Sequence, residues 1–183
     1  LGGYLGGQLH FSGSQIGKVF MTLGLASIIM PAIVGIIADK YLNAQKLLGL
    51  LHILGAGFLF YLSQITDFDS FFWIIFGYLM VYMPTIGLAN AVSYSVLEQN
   101  KFDIIKVFPP IRVWGTIGFI VALWMIDFLG WTQSANQFYF AAGFSLFLGL
   151  YAFTLPNVPT SKSENKSLIS RLGLDAFVLF KDK

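Results

Sequence analysis

The sequence predicts an all-α protein, a polytopic bundle of transmembrane helices, and two observations support this fold class. First, 56% of its 183 residues are hydrophobic, only 11% are charged, and the mean hydropathy is +0.73. A soluble domain typically has about 25% charged residues, so this composition is far from that of a soluble fold. Second, the apolar residues are grouped into five long runs that are separated by short polar connections.

Each run is long enough to cross the hydrocarbon core of a bilayer, which takes roughly 20 helical residues. The opening residues 1–5 are expected to be the outer end of a further helix, of which most is missing. The predicted domains are an N-terminal transmembrane bundle over residues 1–155 and a cytoplasmic linker over 156–183 that leads toward a missing second half. The five predicted spans are residues 16–38, 47–65, 71–97, 104–129 and 138–155.

The first predicted span ends with Gly35, Asp39 and Lys40 within six residues. The helix dipole disfavours an anion at a helix C-terminus by about 0.3–1 kcal/mol, so Asp39 is expected to have a partner, either a cation or the N-terminus of another helix. Gly35, one turn earlier, would let that helix approach closely. The alternative interpretation is a solvated helix end followed by Lys40.

The third predicted span has polar side chains within its apolar run. Asn90, Ser93 and Tyr94 have i, i+3, i+4 spacing and therefore share one helix face. Such a stripe is expected to face protein or water rather than lipid, although ordinary interhelical hydrogen bonding explains it equally well. The possible cavity-lining residues are Tyr82, Thr85, Asn90, Ser93 and Tyr94.

The fourth predicted span places a charge near one end of a long apolar run. Arg112, Thr116 and Phe119 have i, i+4, i+7 spacing, so a cation, a hydroxyl and an aromatic ring share one face. A charge in such a segment is costly and marks a cavity, a partner or a substrate path. The alternative interpretation is that Arg112 extends from the helix end toward lipid headgroups.

The basic residues mark one side of the membrane. If the spans alternate in direction, every one of the eleven lysines and arginines except Lys18 falls on the same side as the tail. The opposite side carries Asp67, Asp69 and Asp127. By the positive-inside rule, the tail is predicted to be cytoplasmic.

Signatures of catalysis, metals and nucleic-acid binding are weak or missing from the sequence. The chain has no cysteine, and its two histidines, His10 and His52, are far apart without a paired carboxylate. His52 is interpreted as a packed or hydrogen-bonded histidine within its span. The net charge of +2 is too small to indicate nucleic acid as a partner. We therefore expect no enzyme activity, no catalytic residue, no metal and no cofactor.

Several runs resemble the N-terminal half of the major facilitator superfamily, and more closely its bacterial nucleoside:proton symporters, the nucleoside permeases. The run Gly35-x-x-x-Asp39-Lys40 resembles the superfamily signature between the second and third helices, with Lys40 where arginine is usual. The resemblance covers essentially the whole chain. Its more specific runs are Met30-Pro31-Ala32, Tyr82-Met83-Pro84-Thr85-Ile86-Gly87-Leu88, Phe108-Pro109-Pro110-Ile111-Arg112-Val113-Trp114-Gly115-Thr116-Ile117-Gly118-Phe119 and Leu172-Gly173-Leu174-Asp175-Ala176-Phe177.

The resemblance implies a secondary transporter that imports nucleosides together with protons across the bacterial cytoplasmic membrane. It implies that Arg112, Thr116 and Phe119 face the central cavity as substrate-binding residues, and that Gly35, Asp39 and Lys40 belong to a conformational gate. Its partners would be a nucleoside, a proton, the lipid bilayer and the missing C-terminal half, which would also hold the proton acceptor. Two alternatives remain: a facilitator transporter of a sugar or a drug, and a membrane receptor or scaffold that transports nothing.

Overall fold

The computed structural model describes residues 1–158, except for the side chains of Asp39 and Lys40. The predicted linker beyond residue 158, with its basic residues and the run 172–177, lies outside the described residues. A π-helical turn, Tyr4–Gln8, precedes five α-helices in the described chain. These helices are α1 Gly13–Lys40, α2 Ala44–Leu62, α3 Phe68–Gln99, α4 Ile104–Phe128 and α5 Asn136–Ala152.

The helices coincide with the five predicted spans. By length and composition, α1 to α4 are long and apolar enough to cross a membrane, as predicted. The fifth predicted span forms a helix of 17 residues, α5, which is about 25 Å long at 1.5 Å per residue. It is shorter than the hydrocarbon core, so its crossing of the bilayer remains a prediction.

The polar connections contain the signals that start the helices. Ser12 and Gln15 form a capping box at the start of α1, where each side chain accepts a hydrogen bond from the other residue's backbone N–H. Asp67 caps α3 by accepting from the Ser70 N–H at 2.8 Å, and this bond lowers the pKa of the Asp67 carboxyl. Asp103 caps α4 in the same way, accepting from Ile105. Helices α1, α3 and α4 therefore begin where a polar side chain replaces the missing backbone acceptor.

The packing is unequal among the helices. Helix α2 lies between α3 and α5, α1 packs along α3, and α4 touches α3 over a much shorter stretch. One hydrophobic core surrounds the fully buried Phe71, Leu5 and Leu62, and a second lies near Val34 and Leu88 at the other end of the bundle. Helix α4 has no buried residue within the described chain, so it presents nearly its whole surface outward.

Helices α2 and α5 cross at two glycines. A Cβ atom built on Gly49 would lie 2.8 Å from the Gly149 carbonyl oxygen, and one built on Gly149 would lie 3.0 Å from the Gly49 oxygen. One turn away, the Ser145 hydroxyl donates to the His52 carbonyl at 2.9 Å and lies 3.2 Å from His52 Nδ1. His52 is therefore buried and hydrogen-bonded, which confirms its interpretation as a packed, hydrogen-bonded histidine.

A buried glutamine at the start of α2 forms hydrogen bonds with the segment that follows α5. Gln45 is only 1% exposed, and both ends of its amide are used: Nε2 donates to Asn157 Oδ1 at 2.9 Å, and Oε1 accepts from the Val158 N–H at 3.1 Å. Gln99, at the end of α3, also donates to the Asn157 carbonyl. The start of α2 and the ends of α3 and α5 therefore lie at the same end of the bundle. The positive-inside argument requires this arrangement, because it assumes that successive spans cross the membrane in alternating directions.

Replacing Gln45 with methionine, which has a similar volume, is expected to lower the free energy of unfolding by about 1–3 kcal/mol, because the Val158 N–H and the Asn157 amide lose their partner. Thermal unfolding of the purified protein in detergent measures this effect. The matched control is Gln64→Met, because Gln64 is exposed and makes only a 3.5 Å contact to the Phe60 carbonyl. Equal melting temperatures for the two variants would show that the Gln45 amide does not hold the chain after α5.

Candidate functional site

A groove between α3 and α4 contains the arginine that the sequence singles out. Its volume is about 250 Å³. Helix α4 contributes a charged group and helix α3 contributes an amide and a hydroxyl, while the rest of the wall is apolar. The lining residues are Ile86, Ala89, Asn90, Ser93, Phe108, Ile111, Arg112 and Gly115.

The direction of the Arg112 side chain distinguishes the two interpretations of this residue. Side chains on a helix lean toward its N-terminus, and an arginine that reaches for headgroups here would extend toward the N-terminal, basic end of α4. Instead, Nη1 of Arg112 lies 3.0 Å from the position that a Cβ atom on Gly115 would occupy, one turn toward the C-terminus. The guanidinium therefore lies beside α4 and the groove, which does not fit the headgroup interpretation.

The Arg112 guanidinium has no ion pair with any described side chain, and the one salt bridge among the described side chains joins Lys106 and Asp103 at 3.5 Å. The described chain also gives it no hydrogen-bond acceptor. A guanidinium carries five N–H donors in a rigid planar fork. Several donors are therefore available to a ligand with carbonyl or hydroxyl oxygens.

Helix α3 supplies the opposite wall of the groove. The Asn90 side chain is partly buried and makes no hydrogen bond to other described residues, so its amide can both donate and accept. The Ser93 hydroxyl donates to its own helix at the Ala89 carbonyl, 2.8 Å away, which leaves its lone pairs as acceptors. Tyr94 packs on Phe108 with 4.4 Å between ring centroids, and this pair borders the groove one turn before Arg112.

Thr116 and Phe119 do not line this groove. Both are on the exposed surface of α4, and Phe119 is 64% exposed in the described chain. Their spacing keeps them along the helix from Arg112, toward the C-terminal end of α4. The structure therefore brings Arg112 together with Asn90 and Ser93, while Thr116 and Phe119 face space that no described residue fills.

Two residues predicted as possible cavity lining have other surroundings. Thr85 is only 3% exposed, and its hydroxyl donates to the Tyr82 carbonyl of the same helix at 2.6 Å. The Tyr82 ring is stacked on Tyr78, with 5.4 Å between centroids. Within the described residues the polar group of Thr85 is satisfied inside α3, and its role in lining a cavity stays a prediction. Tyr82 is partly buried in a packed aromatic pair.

The proposed gate lies at the end of α1. Gly35 and Ala38 line a second cavity, of about 230 Å³, between α1 and α3, and Val158 lies at its edge. No described atom lies within 4 Å of a Cβ built on Gly35, so the close helix approach expected there is not made by a described helix. Asp39 and Lys40 belong to the last turn of α1, and their side chains lie outside the described residues.

Sequence reasoning missed Gly115 and the crossing of Gly49 with Gly149. The signal for the crossing was the seven-residue spacing of small residues on one helix face, Gly49 with Ala56 and Ala142 with Gly149. For Gly115 the signal was its position three residues after Arg112, which places it on the same face of α4.

Comparison with known proteins assigns the family. The model of the nucleoside H+ symporter family matches residues 1–183. The chain belongs to the nucleoside H+ symporter family. Xanthosine permease of Escherichia coli K12 is 51% identical over 183 residues, which are 100% of this chain and 44% of that protein. Nucleoside permease NupG of the same organism is 45% identical over 184 residues, again 100% of this chain and 44% of the relative.

Solved structures of this symporter family agree with the fold. The crystal structure of the nucleoside transporter NupG matches with a TM-score of 0.88 at 44% identity, and that of a NupG mutant with a TM-score of 0.94 at 43% identity. Each match covers 99% of this chain and 45% of that chain. The predicted fold class, an all-α bundle of the major facilitator type, is confirmed, and the chain is a multi-pass membrane protein. It spans less than half the length of the relatives it matches.

Proposed function

We propose that this chain is the N-terminal part of a secondary transporter that imports nucleosides by proton symport, and not part of an enzyme or a scaffold. The observation that supports it best is Arg112, whose guanidinium lies along α4 beside a groove instead of reaching for the helix end. The likeness to proteins named nucleoside and xanthosine permeases gives the substrate class. The other proposed partners are the lipid bilayer and the second half of the protein, without nucleic acid.

The chemistry of the groove suits a nucleoside. Ribose hydroxyls and base carbonyls accept hydrogen bonds from Arg112, and Asn90 pairs with either donors or acceptors on a base edge. Outside the groove, further along α4, Phe119 offers a flat apolar surface for the base, and Thr116 a hydroxyl for the ribose or the base. In a cavity of low dielectric, a ligand that lacks these partners leaves polar groups unpaired, which is the source of selectivity.

The proton acceptor is proposed to lie in the second half of the protein. Within the described helices, Asp69 and Glu98 lie in the first and last turns of α3, and Asp127 lies in the last turn of α4. Asp127 also accepts a hydrogen bond from the Thr132 hydroxyl in the loop that follows. These carboxylates lie at helix ends, whereas coupling to a central site needs a titratable group near the cavity.

The proposed sidedness places the tail in the cytoplasm of a bacterium and the protein in its inner membrane. Lys46, Lys101 and Lys106 lie at the same end of the bundle as Asn157, where the predicted linker begins. The positive-inside rule assigns that end to the cytoplasm. Transport would then occur by rocking of two helical halves about the central site, with Asp39 and Lys40 stabilising a cytoplasmic contact between them.

Uptake of labelled uridine, adenosine and xanthosine tests the function. The full-length protein is expressed in cells without their own nucleoside permeases, with and without a protonophore. We expect saturable uptake that the protonophore reduces by about tenfold or more, because the proton gradient supplies the driving force. Uptake that competes with sugars or drugs but not with nucleosides would favour another facilitator transporter. Correctly inserted protein that moves no solute would favour a receptor or scaffold.

A further inference from the structure

We propose that Gly115 is a positioning residue for Arg112: its missing side chain creates the space in which the guanidinium lies. This inference rests on the proposed function, because the position of Arg112 matters only if this side chain binds substrate. Gly115 lines the same groove as Arg112, three residues along α4.

The distance is the first argument. A Cβ atom on Gly115 would lie 3.0 Å from Arg112 Nη1, whereas unstrained contacts between non-bonded heavy atoms are about 3.5–4.0 Å. Even the methyl group of alanine therefore displaces the guanidinium by several tenths of an ångström. The Arg112 side chain is flexible enough to make this shift, so the helix keeps its fold while the guanidinium moves from its position in the groove.

Other reasons for a glycine at this position find no support. Apart from its chain neighbours and the backbone of its own helix, Arg112 Nη1 is the one described atom within 4 Å of the added carbon, so Gly115 does not provide room for a neighbouring described helix. Gly115 also lies in regular α-helix, so its backbone does not require a glycine. Among the described glycines, Gly130 is the one with a positive φ angle. Alanine fits that backbone and is a better helix former than glycine. The space is used by the arginine.

The displacement matters because hydrogen bonds depend steeply on distance and angle. The planar fork of arginine makes two parallel bonds only when its plane matches the two acceptors. A guanidinium that moves off α4 also moves into a groove of only about 250 Å³, where a ligand would lie. Loss of alignment and loss of volume both weaken binding of the substrate, so the effect is expected mainly in KM.

The test compares Gly115→Ala with Gly118→Ala in the full-length protein. Gly118 is on the same helix, and no described atom lies within 4 Å of a Cβ atom built there, so the control carries the same change in helix propensity. Initial rates of labelled uridine uptake give KM and kcat per inserted transporter. We expect Gly115→Ala to raise KM about fivefold, which is the size of effect expected when a hydrogen bond from a charged group loses its alignment. Gly115→Val should raise KM further, while kcat stays within about twofold for both variants.

A double-mutant cycle separates positioning from a general structural effect. In an Arg112→Lys background, where no planar fork remains, Gly115→Ala should change kcat/KM by less than about twofold. The rate at low substrate concentration gives kcat/KM even when saturation is not reached. An unchanged KM in Gly115→Ala, or a KM increase that persists in the lysine background, would overturn the inference. Absence of nucleoside uptake by the wild-type protein would instead reject the proposed function, so the two failures are distinguishable.

Discussion

Replacing Arg112 with lysine is expected to lower kcat/KM for nucleoside uptake by about tenfold or more, with membrane insertion unchanged. Lysine keeps the charge, but it has three donors on a single nitrogen in place of a planar fork. Two acceptors on a ribose or a base can no longer be bound in parallel. Labelled uridine uptake, normalised to the amount of transporter in the membrane, measures the effect.

The control for this substitution is Lys106→Arg, the reverse exchange on the same helix. Lys106 is exposed and pairs with Asp103 at the surface, at 3.5 Å, so its exchange should leave uptake unchanged. Wild-type uptake by well-inserted Arg112→Lys protein would remove Arg112 from the substrate site. It would restore the interpretation in which a simple positive charge near the membrane surface is all that this position needs.

Replacing Gly149 with alanine is expected to lower the free energy of unfolding by about 1–3 kcal/mol. The added methyl group would lie 2.8 Å from the Ile53 side chain, 3.0 Å from the Gly49 carbonyl oxygen and 3.1 Å from the Ile53 nitrogen. Two of these neighbours are backbone atoms, which cannot rotate away, so α5 must move off α2. Fluorescence size-exclusion chromatography after stepwise heating of the detergent-solubilised protein measures the fraction that stays folded.

The control is Gly143→Ala, on the same helix, where no described atom lies within 4 Å of the added carbon. It should be as stable as the unmodified protein. If Gly149→Ala is equally stable, then α2 and α5 are not in backbone contact at this point, and the packing described here is wrong.

The existence and order of the helices could be predicted from the sequence, but not all of their ends. Long apolar runs predict spans because the bilayer requires about 20 apolar residues. Helix α1 begins three residues before its predicted start because Ser12 and Gln15 cap it, and α2 begins at Ala44 because the polar Gln45 is used inside the fold. A hydropathy pattern assigns such polar residues to connections, although their hydrogen bonds make them part of the helix.

The candidate site was predictable in part. The sequence spacing predicted which residues share a face of α4 with Arg112, and that Asn90 and Ser93 share a face of α3, because helical periodicity determines which residues share a face. It could not give the direction of the Arg112 side chain, which depends on the empty space at Gly115. Nor could it show that the Thr85 hydroxyl bonds to its own helix backbone, because a polar residue in a span need not face a cavity.

The hydrogen bonds between α2 and α5 have a consequence for biosynthesis. Gln45 and His52 leave the ribosome about 100 residues before their partners, Asn157 and Ser145. Until α5 is made, these two polar side chains of α2 must be accommodated by the translocation machinery, by water or by lipid headgroups. Arrival of α5 supplies the partner of His52 and brings Gly149 onto α2, and the segment that follows α5 supplies the partners of Gln45. Helix α5 therefore completes the packing of α2, and ribosome-bound chains that end before it should remain sensitive to protease.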